Sequence, residues 1–501
     1  EADWIVIRDA HPSLQTVFDE SHDTPRTGEK STAAARNITV RGQVVYVRDG
    51  ALAGVDGAGI RIRDEDRFFD QTLATDVTNS DGTFAVTFTW DPCGTCENQP
   101  DIYVEVEANN SWCVVEKGIF ETNYRFATGT RQDYTGTDLD FGTFGESDED
   151  RMPAWHLLTN ITRVHRWLEV NTGFNSRKAD VRWPISGDGA HYNNKQINIS
   201  HTREWWYDSH AHEFGHHFMD EFAPNQNPSY CNGVCDDSIF NCSHCQWCGE
   251  TDHDAFNEGW PNWLADIWTR SHLADYNVPA LRFRDQETLQ DCEDSDGNPC
   301  PCDPWETEGF LGALLRDIED RGSDDEPDYP GDDELALGHE EIFTVVTQDQ
   351  PTTPSGFLAA FMNRYPQHVP ALWATAANNV YEIDNANPIA VDDLVCTDHD
   401  VGVPSPDATL RLTWSKPFDD ASGVVGYSIL FSLNPASEPD IFDDVGDVTA
   451  YNSPVLPPGT YYASIRPIDR SGKVGATTRI GPFVVREAEP ANLAFEQNPG
   501  W

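Results

Sequence analysis

The run His212-Glu213-Phe214-Gly215-His216 constrains this chain more than any other feature. On an α-helix, side chains four residues apart lie one above the other on a single face. His212 and His216 can therefore turn both imidazoles toward one metal ion. Glu213 stands beside that face and can reach a water at the ion without ligating it. Two histidines, an adjacent carboxylate and an open coordination position are what metal-assisted peptide hydrolysis needs. The flanks predict a helix: Asp208 or Ser209 as N-cap, and Pro224-Asn225 as the stop after Phe218, Met219 and Phe222. The pattern is short and also occurs on ordinary surface helices. Gly215, however, costs a helix interior about 1 kcal/mol relative to Ala, which predicts something packed closely on that turn. His210 and His217 add a histidine density that a surface helix does not require.

A third ligand candidate follows in Asn257-Glu258-Gly259-Trp260-Pro261-Asn262-Trp263-Leu264-Ala265-Asp266. Trp260, Trp263 and Leu264 recur at helical spacing, so Glu258 is predicted to open a second, partly buried helix. A glutamate in a first turn also suits the helix dipole with no metal involved. As a ligand it completes a His-His-Glu set with the fourth position left for water. Together the two segments resemble the gluzincin metallopeptidases, whose HExxH helix is followed by a glutamate ligand on a second helix. The resemblance spans roughly residues 150 to 385. It implies zinc held by His212, His216 and Glu258, with Glu213 as the general base. Many gluzincins carry an Asp one turn after the glutamate to orient the first histidine. Here that position is Asn262, with Asp266 a turn further on as the other candidate.

The chain has 501 residues, room for three domains or more. Its 85 acidic and 33 basic residues leave a formal net charge of -52, which excludes nucleic acid as a partner on electrostatic grounds. Arginine far outnumbers lysine and aspartate is abundant, a balance suited to salty surroundings or to calcium ligation. No run of eighteen apolar residues is present to span a membrane. The chain opens on Glu1, which suggests a mature form whose leader was removed. Twelve cysteines, clustered in loops, point to an oxidising compartment, and so to a secreted or cell-surface protein.

Residues 1–36 are polar, apart from Trp4-Ile5-Val6-Ile7, and suggest no role. From 37 to 145 short alternating runs predict an antiparallel β-sandwich: Val40, Val44 and Tyr46, then Ile60 and Ile62, then Phe84, Val86 and Phe88 after a turn at Asn79–Gly82. Their order resembles the transthyretin-like or carboxypeptidase-regulatory-like modules of secreted peptidases. Residues 146–385 read as α+β, with a long helix around Trp155–Leu168, strands at Val181–Trp183 and Gln196–Ile199, and helices at Gly309–Asp320 and Gly356–Tyr365. In zincin folds an edge strand before the HExxH helix pairs with extended substrate, and segment 195–200 is the candidate. Residues 386–487 read as a second sandwich. Trp414 and the run Leu456-x-Pro458-x-Thr460-x-Tyr462 resemble the core tryptophan and tyrosine corner of fibronectin type III domains. Residues 488–501 form a polar tail. The expected fold is thus α+β and multidomain, a zincin-like core flanked by two antiparallel β-sandwich domains.

Between the two metal-site helices, the insertion 229–250 carries Cys231, Cys235, Cys242, Cys245 and Cys248 with His244. Disulfides fit an oxidising compartment better than a structural zinc knot, though the CxxC spacing allows either. Cys93, Cys96 and Cys113 form an odd set. Asp294, Asp296 and Asn298 alternate around a glycine turn as calcium ligands do, without the glutamate that closes an EF-hand. A plain Asp/Gly turn is the competing reading.

These observations predict a secreted zinc endopeptidase acting on protein or peptide substrates. Tyr329 and His339 are the candidates for an oxyanion donor. The alternative is a surface structural or adhesive protein with an idle zincin core, its partners on a surface or extracellular matrix engaged through the C-terminal sandwich.

Overall fold

A computed structural model describes residues 35–48, 50–66, 69–91, 99–118, 123–224, 247, 249–272, 303–319, 335–419 and 422–487. They form two compact units, one within residues 1–229, 257–286 and 346–352, the other within 230–256, 287–345 and 353–501. The whole is α+β, with helices and several separate sheets.

The first unit opens with nine strands: β1 (Arg36–Arg48), β2 (Ala51–Gly54), β3 (Gly59–Asp64), β4 (Gln71–Val77), β5 (Thr83–Trp90), β6 (Ile102–Glu107), β7 (Cys113–Glu116), β8 (Arg125–Ala127) and β9 (Asp138–Gly145). One four-stranded sheet has the order β2-β1-β5 with β9 also on β1, and another runs β4-β3-β6-β8. Strand β5 shows why such segments become strands: Phe84, Val86 and Phe88 are buried while Ala85, Thr87 and Thr89 face solvent. The pairing is antiparallel throughout except that β9 runs parallel to β1. Strand β7 belongs to neither sheet. Its residues, counted in sequence with the 37–145 region, pair in parallel with a strand of the following region.

That region begins with α1 (Met152–Thr172), started by Pro153 in its first turn and ended by Gly173 at φ 75°. Strands β10 (Ala179–Ile185), β11 (Ala190–Asn193) and β12 (Gln196–Ser200) follow, and the sheet order is β11-β12-β10-β7. The segment expected as the free edge, 195–200, is therefore an interior strand, and β11 is the edge beside it. The cause is a two-residue hairpin at Asn194 and Lys195, both at positive φ (48° and 64°). Such a turn folds Ala190–Asn193 back as an antiparallel partner of β12. Helix α2 (Tyr207–Phe222) packs on α1, β11 and β12. Its N-cap is Trp206, without a side-chain cap bond, rather than Asp208 or Ser209; Asp208 lies in the first turn, where it suits the dipole. Helix α3 (Asp252–Ser271) carries Glu258.

In the second unit come α4 (Glu308–Glu319), α5 (Glu340–Thr344), α6 (Pro354–Arg364) and α7 (Val369–Asn378); α5 and α7 have no counterpart in the sequence expectation. Seven strands follow: β13 (Val395–Cys396), β14 (Pro404–Ser405), β15 (Arg411–Thr413), β16 (Val424–Ser432), β17 (Ala450–Asn452), β18 (Gly459–Asp469) and β19 (Thr478–Val485). They form a three-stranded sheet, β13-β15-β17, and a four-stranded sheet, β14-β19-β18-β16. Trp414 and Tyr427 meet in their core with ring centroids 5.0 Å apart. The hydroxyl-to-backbone bond expected of Tyr462 is made by its neighbour: Tyr461 Oη donates to the Pro457 carbonyl at 2.9 Å. Tyr461 and Ala463 face the core on this strand, so Tyr462 is turned to the opposite face.

Candidate metal centre

The site begins with the close approach of α2 and α3. A Cβ placed on Gly215 would lie 2.8 Å from Pro261 Cβ and 2.9 Å from Pro261 Cα. Only a glycine lets α3 rest against the HExxH turn, which is the packing its presence in a helix interior predicted. Phe218 stacks on Trp260 just beside it, centroids 5.3 Å apart and planes within 18°.

Glu258 is not in a first turn, as expected, but is the seventh residue of a 20-residue helix. Pro261 resembles a helix-start signal, yet α3 begins well before it and gives up one backbone bond to accommodate the ring. The true start is marked by Thr251, whose Oγ1 accepts from the Asp254 N–H at 3.1 Å and donates to the Asp254 carboxylate at 2.8 Å. This Thr-x-x-Asp signal was legible in the sequence.

His212, His216 and Glu258 converge. His212 Nε2 lies 3.0 Å from Glu258 Oε2, His216 Nε2 lies 3.1 Å from the same oxygen, and the two nitrogens are 3.1 Å apart. Their side chains are only 13–15% exposed. Ligand atoms on a tetrahedral zinc with bonds of about 2.0–2.1 Å stand about 3.3 Å from one another, so the triangle has the size of one face of such a site. His212 Nδ1 donates to Asn262 Oδ1 at 2.9 Å, which leaves its Nε2 as an acceptor aimed at Glu258. Acceptors at this separation repel unless a cation lies among them. The donor set thus fits zinc. Asn262, not Asp266, orients His212: Asp266 accepts from Arg270 Nε at 2.8 Å. Glu213 is 5% exposed, one residue beyond His212.

The neighbouring histidines bond to other segments and not to the triangle. His210 Nε2 donates to the Arg203 carbonyl at 2.9 Å, and its Nδ1 accepts from Asn160 at 2.9 Å. Asn160 gives its second amide hydrogen to His156 Nε2 at 3.0 Å, and His156 Nδ1 meets the Tyr46 hydroxyl at 3.0 Å. On the far side of α2, His217 Nε2 donates to the Arg177 carbonyl at 3.0 Å. Burial pushes His210 down to about 3 and His217 to about 4, and holds His156 well below its usual value, so all three stay neutral. Sequence reasoning missed this network. Its one signal was Asn160, a polar residue between Leu158 and Ile161 on the buried face of α1.

The insertion 229–250 apart from a few residues, Tyr329, and the loop of Asp294, Asp296 and Asn298 lie outside the described residues. His339 belongs to the second unit, just ahead of α5 and edge-on to Phe343 at 6.1 Å. Cys113 is a buried free thiol and Cys396 a partly buried one. Among the described residues there is no disulfide, and no helix is long and apolar enough to cross a membrane.

No protein-family model matches the chain, and no curated protein does. Among solved structures, the M60 catalytic domain of ZmpC from Clostridium perfringens, in complex with the sialyl T antigen, aligns at 10% identity over 91% of this chain and 94% of that one, with a TM-score of 0.23. The catalytic module of the metalloprotease ZmpA from the same organism aligns at 12% identity over 95% and 97%, with a TM-score of 0.17. A 9R-lipoxygenase from Cyanothece PCC8801 matches 29% of this chain and 20% of its own length at 15% identity, with a TM-score of 0.16. Superpositions this loose carry no weight for fold or function.

Proposed function

We propose that this chain is a zinc-dependent peptidase, with a zincin-like core between two β-sandwich regions. The observation that carries the reading is the 3.0–3.1 Å triangle of His212 Nε2, His216 Nε2 and Glu258 Oε2. Glu213, a buried carboxylate, follows His212 directly on the same helix, where a general base for metal-assisted hydrolysis is needed. Zinc bound there supplies Lewis acidity to a substrate carbonyl and makes water acidic enough to lose a proton near neutral pH.

Each residue then has a defined task. His212 and His216 would hold the zinc through Nε2, and Asn262 orients the His212 ring by accepting a hydrogen bond from its Nδ1–H. Glu258 brings the single negative charge of the ligand set. Glu213 takes a proton from the attacking water and returns it to the leaving amine. Extended substrate has a pairing edge in β11, which packs on α2. The cysteine content supports action outside the cell.

The test is digestion of a mixed peptide library read by mass spectrometry, with wild type and Glu213→Gln run side by side in buffered salt, zinc content measured in both. Cleavage by wild type alone, at equal zinc, is the expected result. Equal product from both proteins, or none from a zinc-loaded wild type, would overturn the assignment.

A further inference from the structure

A second cluster of metal-ligating side chains lies in the second unit, outside anything the peptidase reading uses. Asp384, Asp419 and Asp469 each bring a carboxylate oxygen to within 4.8 Å of the other two. Asp384 lies in the segment that follows α7, Asp419 in the loop after β15 (Arg411–Thr413), and Asp469 at the end of β18 (Gly459–Asp469). Asp469 is 1% exposed and Asp384 2%. Among the described residues neither of these two forms an ion pair with Lys or Arg. Burying carboxylates at such separations without a countercharge is expensive.

The carboxylates are held from behind. Asp469 Oδ1 accepts from the Lys473 N–H at 2.8 Å, and Asp419 Oδ2 from the Gly423 N–H at 2.7 Å. Asp384 Oδ1 accepts from the Ala386 N–H at 3.0 Å, and its Oδ2 from the Ser422 N–H at 3.1 Å and the Ser471 hydroxyl at 3.3 Å. The second oxygen of Asp469, Oδ2, is buried without any hydrogen-bond partner. A buried carboxylate oxygen with no hydrogen-bond partner, beside two more carboxylates, calls for a positive charge to offset its burial. Burial, reinforced by the charges of Asp384 and Asp419, pushes the Asp469 carboxyl up to about 7.

We propose that Asp384, Asp419 and Asp469 form a calcium site that pins the segment after α7 onto the C-terminal β region. All the donors are oxygen, which selects a hard cation. Calcium oxygens lie about 2.3–2.6 Å from the ion, so no two of them can stand more than about 5.2 Å apart, a bound that the three carboxylates meet. Magnesium keeps several waters in a tight octahedron, for which a site this buried has little room. The site is independent of the zinc centre.

The experiment uses the full chain, zinc-loaded, freed of calcium by dialysis against a calcium-selective chelator. Thermal melting and calorimetric titration are run with calcium chloride alone and with magnesium chloride alone, on wild type, Asp469→Asn and Asp384→Asn. Calcium should raise the wild-type melting midpoint by roughly 5 °C, and magnesium should raise it far less. Both variants should lose that rise while keeping zinc content and Glu213-dependent cleavage, which report correct folding. Each isosteric amide also removes one buried charge, so both variants should melt above the calcium-free wild type. The site is refuted if calcium up to about 10 mM, well above the weakest extracellular calcium affinities, leaves the wild type unchanged. An equal rise in all three proteins would place the calcium elsewhere, and an equal response to magnesium would refute the choice of ion.

Discussion

Replacing Gly215 with alanine sets two opposing effects of known size against each other. In an isolated helix the change is favourable by up to about 1 kcal/mol, because alanine loses less backbone freedom and shields the helix better than glycine. Here the new methyl would lie 2.8 Å from Pro261 Cβ and 2.9 Å from Pro261 Cα. Carbon atoms need about 3.5 Å or more, so α2 and α3 must separate by roughly 0.7 Å. Pro261 is rigid and one of the clashing atoms is backbone, so no side-chain rotation relieves the overlap. Overpacking of this kind costs about 1–3 kcal/mol, and the net loss of stability is therefore about 0–2 kcal/mol. The proposed zinc site is more sensitive. Zinc tolerates about 0.2 Å in its ligand distances, and Glu258 rides on the helix that must move. Zinc affinity should fall by about 10–100-fold, the loss seen when a ligand's support is disturbed. Competition with a chromophoric chelator measures the affinity, and melting in the presence of chelator isolates the packing term. A Gly215→Ala protein that melts higher and binds zinc within about threefold of wild type would show that this contact does not set the ligand geometry.

Asn262 gives a second test: Asn262→Ala should weaken zinc binding by about 10–100-fold, while Asn262→Asp should preserve it, because a carboxylate accepts the His212 Nδ1 proton at least as well. Equal affinities in Ala and wild type would rule out the orienting role. Acid sensitivity gives a third. Because His156 and His210 are held neutral by burial, the folded state binds fewer protons than the unfolded state below about pH 6.5. Their contribution is complete above that pH and is lost on acidification, at about 1.4 kcal/mol per pH unit for each group, down to about pH 3 for His210. In metal-free protein, His156→Gln should flatten the fall of stability between pH 6.5 and 4.5 by about that slope. An unchanged slope would mean that His156 is charged in the folded state.

What could be read from the sequence followed the range of the interaction that fixes each feature. His212 and His216 could be placed on one face because the helix repeat alone does it. Gly215 announced a close neighbour because its cost in a helix is intrinsic; that the neighbour is Pro261 is a matter of tertiary packing. Features that depend on a single residue of register fared worse. Tyr461 and Tyr462 are chemically equal on paper, and only the strand's phase decides which hydroxyl reaches the Pro457 carbonyl. The hairpin that makes β11 the edge turns on Asn194 and Lys195 in left-handed conformations, without the glycine that usually signals such a turn. His210 and His217 showed in the sequence only as histidine density, because composition counts imidazoles and not their partners. Those partners, Asn160, Arg203 and Arg177, come from other segments. The same limit hid the Asp384, Asp419 and Asp469 cluster. In a chain with 85 acidic residues, no local pattern separates the few carboxylates that folding buries together from the many that it leaves in water. Only their convergence in the folded chain distinguishes them, and that convergence is a property of the whole fold.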